Sequence, residues 1–223
     1  MAGQRKYQDG CPVALGMDLL GERWALLIVR ELLLGPKRFS DLRAGLLGSS
    51  ADMITVRLRE LQAHGIVRRR RLPAPASAWV YELTPWGAEL EPIVTSLARW
   101  SIRSAEMAER VDRPVSVDSA VLGLHVLFDA EAAVDAAVTV ELVVDAQPFR
   151  VDVTAGVLGV RRGEAPDAEL RIVTDPNTLA GLLRGNRSWE AEREVGHVAV
   201  TGECVAARTF LGFFGAAAVE KSD

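Results

Sequence analysis

The sequence predicts an α+β protein of two domains. Residues 1–113 form a helix-rich domain that closes on a two-stranded hairpin, and residues 114–223 form an antiparallel sheet packed on helices. Three observations carry that reading. Between Phe39 and Leu83 the apolar spacing switches from the 3.6-residue period of helices to the alternation of strands. From Thr139 onward, strand-like runs precede helical ones, the order of an α+β layout. The formal charge of −4 is also unequally shared: 17 basic and 13 acidic residues up to Arg113 give +4, whereas the remaining 9 and 17 give −8.

Two modest domains, each with its own core, fit within 223 residues. The hydrophobic share of 49% with 25% charge is that of a soluble globular chain, and no apolar run approaches the roughly 20 residues that span a bilayer. The first ten residues lack the apolar core of a secretory signal, and Cys11 and Cys204 are the only cysteines. The expectation is therefore a cytoplasmic protein with free thiols and no membrane association.

Residues 12–20, stopped by Gly21, form the first helical pattern. Residues 24–34, closed by Gly35 and Pro36, are nearly all apolar and predict the central buried helix. A further helix starts at Ser49 or Ser50, both good N-caps, and stops at Gly65. Ile54, Leu58 and Leu61 form its apolar stripe, while Ser50, Asp52, Thr55, Val56, Arg57 and Arg59 fall on or beside the outward face. His64, just before the stop, suits the helix C-terminus better than catalysis. The runs IVRRRRL and WVYELT, joined by the turn-prone PAPAS, predict a hairpin whose arginines, Arg68, Arg69, Arg70 and Arg71, reach both faces. Thr84 and Pro85 then open a helix with a second start at Pro92 that runs toward Arg110. Its stripe of Trp86, Leu90, Ile93, Leu97 and Trp100 is longer than the domain alone can cover, which implies a homodimer.

Between Lys37 and Arg71 nine basic residues stand against Asp41, Asp52 and Glu60. That concentration is the electrostatic footprint of a surface that meets a phosphate backbone, so double-stranded DNA is the expected partner. Two plainer readings stand beside it. A helix flanked by arginines is often a solvated surface helix, and an arginine-rich strand also blocks edge-to-edge aggregation.

The order CPVALGMDLLGERWALLIVRELLLGPKRFSDLR, then SSADMITVRLRELQAHGIV, then YELTPWG resembles the HxlR family of winged helix-turn-helix transcriptional regulators over roughly residues 9–103. The resemblance implies a dimer whose recognition helix enters the major groove and whose wing touches the adjacent backbone or minor groove. Carried over by residue, it puts Ser50, Thr55 and Arg57, with Arg59 beside them, on the DNA side of the helix, and Arg68 to Arg71 in or near the wing. Asp52 departs from the family, which usually has a basic residue there, as does Ser49, which stands for an apolar one. An aspartate in a first helical turn suits the helix dipole but repels phosphate, so Asp52 either reads a cytosine amino group or sits away from the groove. Some relatives use a cysteine at the position of Cys11 as a thiol sensor, and Arg5 and Lys6 stand near enough to lower its pKa. With Cys204 far along the chain, packing near the dimer interface is the expected role of Cys11.

Beyond Pro114 a short apolar helix over residues 116–128 precedes strand-like runs at residues 139–144, 149–153, 157–161 and 170–173. Asp175-Pro176 starts a helix, HVAVTGE gives one more strand, and a last helix runs through Phe214. The alternation of FRVDVTAGVLGVRRG, the Asp-Pro-x-Thr-Leu helix start and the G-x-V-x-V-x-G-E strand resemble the sterol-carrier-protein-like domains, which pack a sheet and helices around an apolar tunnel. That resemblance makes Leu179, Leu182, Leu183, Trp189, Phe210, Leu211, Phe213 and Phe214 candidates for lining a ligand cavity. Plain core packing is the competing reading for each.

No catalytic constellation, cofactor motif or metal-ligand spacing is present: His125 and His197 lack a partner nucleophile, and Glu190, Glu192 and Glu194 read as a solvated face. Two functions remain. One is a dimeric regulator that answers to a hydrophobic small molecule in the C-terminal domain. The alternative is a carrier or enzyme for a hydrophobic metabolite with an accessory DNA-binding domain.

Overall fold

The computed structural model describes residues 7–215, and the chain divides into two compact units, Met1–Val94 and Thr95–Asp223. The division falls inside a helix, earlier than the composition change after Arg113.

In the first unit, α1 (Pro12–Leu20), α2 (Ala25–Leu33), α3 (Phe39–Gly45) and α4 (Ala51–Ala63) precede the hairpin of β1 (Val67–Arg71) and β2 (Trp79–Leu83). The one-turn α5 (Pro85–Ala88) and the start of α6 (Glu91–Ile102) close it. The apolar run of α2 makes it the centre: Ala25, Ile28, Val29 and Leu32 are buried, and the helix packs on α3, α4 and β2. Leu42, Leu46, Ile54, Leu58 and Leu61 complete the core around it.

Two polar contacts fix the hairpin to the helices. Lys37 and Tyr81 exchange backbone hydrogen bonds at 2.9 and 2.8 Å, which adds a short third strand beside β2. The buried Lys37 ammonium donates to the fully buried Glu31 carboxylate at 2.6 Å, and Arg30 donates to the same carboxylate at 2.7 Å.

α4 begins where Ser50 Oγ accepts the Met53 amide at 3.2 Å. It ends at Gly65, whose φ of 73° lets the Ile66 amide turn back onto the Leu61 carbonyl at 2.9 Å. The chain therefore enters β1 with almost no linker.

The helix expected from Thr84 toward Arg110 is in fact three pieces. Thr84 Oγ1 caps the Gly87 amide at 3.0 Å and donates to the Gly65 carbonyl at 2.7 Å, tying α5 to the root of the hairpin. Gly87 lies against the Ile66 carbonyl, where a Cβ would collide. The turn stops at Glu89, α6 starts afresh around Pro92, and residues after Ile102 continue only as a 3₁₀ helix, Ala105–Arg110, capped by Ser104.

In the second unit, α7 (Val117–Leu127) leads to a five-stranded sheet made of β3 (Ala137–Val144), β4 (Gln147–Thr154), β5 (Val157–Arg162), β6 (Leu170–Thr174) and β7 (Val198–Thr201). α8 (Pro176–Arg184), α9 (Trp189–Glu194) and α10 (Cys204–Leu211) complete it. The strand order is β5-β4-β3-β6-β7. Three pairings are antiparallel, as expected, but β3 and β6 run parallel, a crossover that strand-like runs alone do not reveal. Two-residue turns with positive φ at both positions, Asp145-Ala146 and Ala155-Gly156, make the β3–β4 and β4–β5 hairpins. Asp175 caps α8 by accepting the Asn177 and Thr178 amides, both at 2.9 Å.

The alternation divides the sheet cleanly. Val140, Leu142, Phe149, Val151, Leu170 and Ile172 are buried on one face, while Glu141 pairs with Arg171 and Asp152 with Arg150 on the other. Arg162 is the charged exception on the apolar face among the described residues. Its guanidinium lies 4.6 Å from the centre of the Phe149 ring and pairs with the buried Asp118 at the start of α7.

Replacing Lys37 with Met removes a buried cation from the buried Glu31 carboxylate, and is expected to destabilise the protein by about 2–4 kcal/mol in urea unfolding. A loss below about 0.5 kcal/mol would show that the pair is not what fastens hairpin to helices.

Candidate nucleic-acid interface

The first unit presents two neighbouring elements that a nucleic acid can reach, α4 and the hairpin that follows it. On α4 the exposed positions are Asp52, Met53, Val56, Arg59, Gln62 and Ala63, opposite the buried Ile54, Leu58 and Leu61, with the cap residue Ser50 exposed ahead of them. Arg59 has no ion pair among the described residues, so its charge is available.

Thr55 and Arg57 are placed differently from the outward position expected of them. The Thr55 hydroxyl turns back onto the Ala51 carbonyl at 2.8 Å, on a half-buried side chain. Arg57, with only 11% of its side chain exposed, pairs with Glu60 and reaches Glu22 at 3.3 Å, so it braces α4 against the segment between α1 and α2. Helical spacing set Arg57 near the border of the outward face, and the carboxylate of Glu22, distant in sequence, draws it inward. Met53, Gln62 and Ala63 are exposed positions of α4 that the sequence pattern did not single out.

The hairpin alternates as a strand must. Arg69 and Arg71 share a face with Trp79 and Tyr81, while Arg68 and Arg70 lie on the other face with Val80 and Glu82. Glu82 accepts Arg68 Nε at 2.8 Å and Arg70 Nε at 2.6 Å. Burial pushes the Glu82 carboxyl up, but the hydrogen bonds and charges of Arg70 and Arg68 outweigh it and hold the group below the usual carboxylate range. Near the root of this hairpin a cleft of about 240 Å³ is bounded by Leu32, Leu33, Leu83, Glu82 and Glu91. That is smaller than the ~300 Å³ lower bound of ordinary ligand pockets.

The HxlR-like helix-turn-helix family matches residues 19–109. The HTH-type transcriptional regulator YodB of Bacillus subtilis is 33% identical over 102 residues, which is 45% of this chain and 91% of YodB. An uncharacterized HTH-type regulator of the same organism, YybR, is 33% identical over 102 residues, 46% of this chain and 82% of YybR. The chain belongs to the HxlR-like helix-turn-helix family. The helix-turn-helix of this family is therefore α3 and α4, and the hairpin is its wing. The solved reduced form of YodB is 33% identical and covers 44% of this chain and 98% of that one, at a TM-score of 0.39. The second unit beyond residue 109 lies outside the matched residues.

There the eight candidate lining residues are mostly interior. Leu179, Leu183, Trp189, Phe210, Phe213 and Phe214 are buried, and Leu182 and Leu211 are half-buried. The Phe210 and Phe214 rings meet edge-on at 5.1 Å, and Phe128, outside the candidate set, meets Phe214 at 5.7 Å. Backbone bonds from Asp129 to Phe213 and from Gly215 to Leu127 tie the segment after α10 to the end of α7. Among the described residues no group of three or more His, Cys, Asp or Glu is arranged to hold a metal, and no helix is long and apolar enough to cross a membrane.

Cys11 stands exposed at the N-cap of α1, so within the single chain it has no packing role. The Ala14 and then the Val13 amides at the head of the helix hold its thiol below the ordinary value, although neither completes a hydrogen bond to the sulfur. Arg5 and Lys6, named for the same effect, lie outside the described residues. Because a lowered pKa releases the thiolate at lower pH, iodoacetamide alkylation of Cys11 in a Cys204→Ser protein should reach half its maximal rate below pH 9.0, the ordinary thiol value. A midpoint at or above that value would contradict the placement of the sulfur.

Proposed function

We propose that this family member is a sequence-specific, homodimeric regulator of transcription in the cytoplasm, answering to a hydrophobic small molecule held in its second unit. Residues 1–113 bind DNA and dimerise, and residues 114–223 form a sterol-carrier-protein-like ligand domain. The observation that carries the reading is that α4 and the wing, joined only by His64, Gly65 and Ile66, both leave an open face. The cations on those faces, Arg59, Arg69 and Arg71, have no acidic partner among the described residues. Ser50, Thr55 and Arg59 make the helix contribution, and Arg57 reaches DNA when it exchanges Glu60 for phosphate. Arg68, Arg69, Arg70 and Arg71 supply the wing.

The acidic second unit accounts for the overall charge of −4. Its apolar set, from Leu179 to Phe214, supports the hydrophobic effector, because a ligand that reorders those side chains acts on the same packed unit that contains most of α6. The test is a gel shift with duplex DNA from upstream of the protein's own gene at 50 and 200 mM salt, with and without palmitate. Affinity should fall by about 10³-fold between the two salts, as for a protein making several phosphate contacts. Palmitate should change it about fivefold or more. Absence of duplex binding at both salts sinks the regulator reading, and indifference to palmitate and to cholesterol sinks the effector.

Dimerisation rests on uncovered apolar surface. α1 buries none of its residues and exposes Val13, Leu15 and Met17, and α5 and α6 expose Trp86, Ile93, Leu97 and Trp100, the last at 67%. Apolar faces of this extent mark contact sites. Sedimentation at micromolar concentration should give a dimer that Leu97→Asp together with Trp100→Asp converts to monomer. A wild-type monomer, or a dimer indifferent to both aspartates, would remove this interface.

A further inference from the structure

The four wing arginines are not equivalent. On the side that holds the buried Glu82 and Val80, the single carboxylate takes both Arg68 and Arg70, whose side chains are 61% and 41% exposed, leaving a net charge of +1. On the solvent side Arg69 and Arg71 carry +2 with no carboxylate paired to them among the described residues, and Arg71 donates a long bond to the Ser77 carbonyl at 3.4 Å. Between these two cations lies a tryptophan. Trp79 pairs with Arg71 across the hairpin, is 52% exposed, and has the Arg69 guanidinium 4.6 Å from its ring centre. Tyr81 receives the same guanidinium at 5.9 Å.

We infer that the wing meets duplex DNA through this solvent side alone. The Trp79 indole packs on the deoxyribose of the backbone while Arg69 and Arg71 take the flanking phosphates, and Arg68 and Arg70 act as struts on Glu82. The inference rests on the DNA-binding reading above and sharpens it to one face and one aromatic residue. An exposed indole set between unpaired cations fits a partner that is apolar and anionic at alternating points, which describes a sugar–phosphate backbone. A guanidinium already laid on two rings has lost much of its rotamer freedom, so less is lost on binding. Lysine cannot lie flat in the same way, so charge alone does not reproduce it.

The test uses the full chain and fluorescence anisotropy with the upstream duplex, and thermal melting to show that each variant is folded. Arg69→Ala and Trp79→Ala should each weaken binding about tenfold. Arg69→Ala should lower the salt slope by about 1, whereas Trp79→Ala should leave the slope unchanged, because the indole releases no counterion. Trp79→Phe should stay within about threefold of wild type, and Arg69→Lys should fall between wild type and Arg69→Ala. Arg68→Ala and Arg70→Ala should each cost less than Arg69→Ala. Unchanged binding by Trp79→Ala, a greater loss from Arg68→Ala or Arg70→Ala than from Arg69→Ala, or tighter binding of the single strand than of the duplex would overturn the inference. Failure of the wild type to bind any duplex would instead remove the DNA reading itself, and this inference with it.

Discussion

A single buried carboxylate sets the character of the wing. Glu82 lies near the end of β2, where burial pushes its carboxyl up, and the strand opposite supplies two cations that hold it down. Arg68 and Arg70 are thereby paired on the Glu82 side, and the strand alternation puts Arg69 and Arg71 on the other. The same hairpin is fastened at its middle by the Lys37–Tyr81 backbone exchange, and Lys37 is itself anchored on Glu31 in the central helix. The orientation of the wing thus runs back through two carboxylates to the core around α2.

α4 obeys a related constraint at lower charge. Its apolar stripe is continuous with the α2 core, its cap is Ser50, and its stop is Gly65, so both ends of the helix are fixed by local chemistry. Its side faces are governed by carboxylates: Glu22 and Glu60 turn Arg57 inward, which leaves Arg59 as the open cation of the helix. Asp52 is exposed on the same open face, where its charge offsets part of the attraction of Arg59 for phosphate. In the proposed regulator, a positively charged wing beside a neutral helix divides the work, with the wing supplying field and the helix supplying discrimination.

Much of this was legible in the sequence because it is local. Caps, stops, the α4 stripe, the arginine strand and the Asp175 cap are each written within a few residues, and the structure has them where those residues stand. What was illegible depends on partners far apart in sequence. The inward turn of Arg57 needs Glu22, the unequal wing arginines need Glu82, and the parallel β3–β6 pairing joins strands separated by two others. The break between α5 and α6 likewise follows from Thr84 and Gly87 being seated on the Gly65–Ile66 turn, a contact that periodicity cannot express.

Hydrogen exchange of the full chain, free and with saturating upstream duplex, tests most directly whether α4 and the wing are the surface that DNA covers. Amides of residues 50–63 and 67–83 should gain protection on binding. Protection confined to residues 95–215, with those two segments unchanged, would contradict the account.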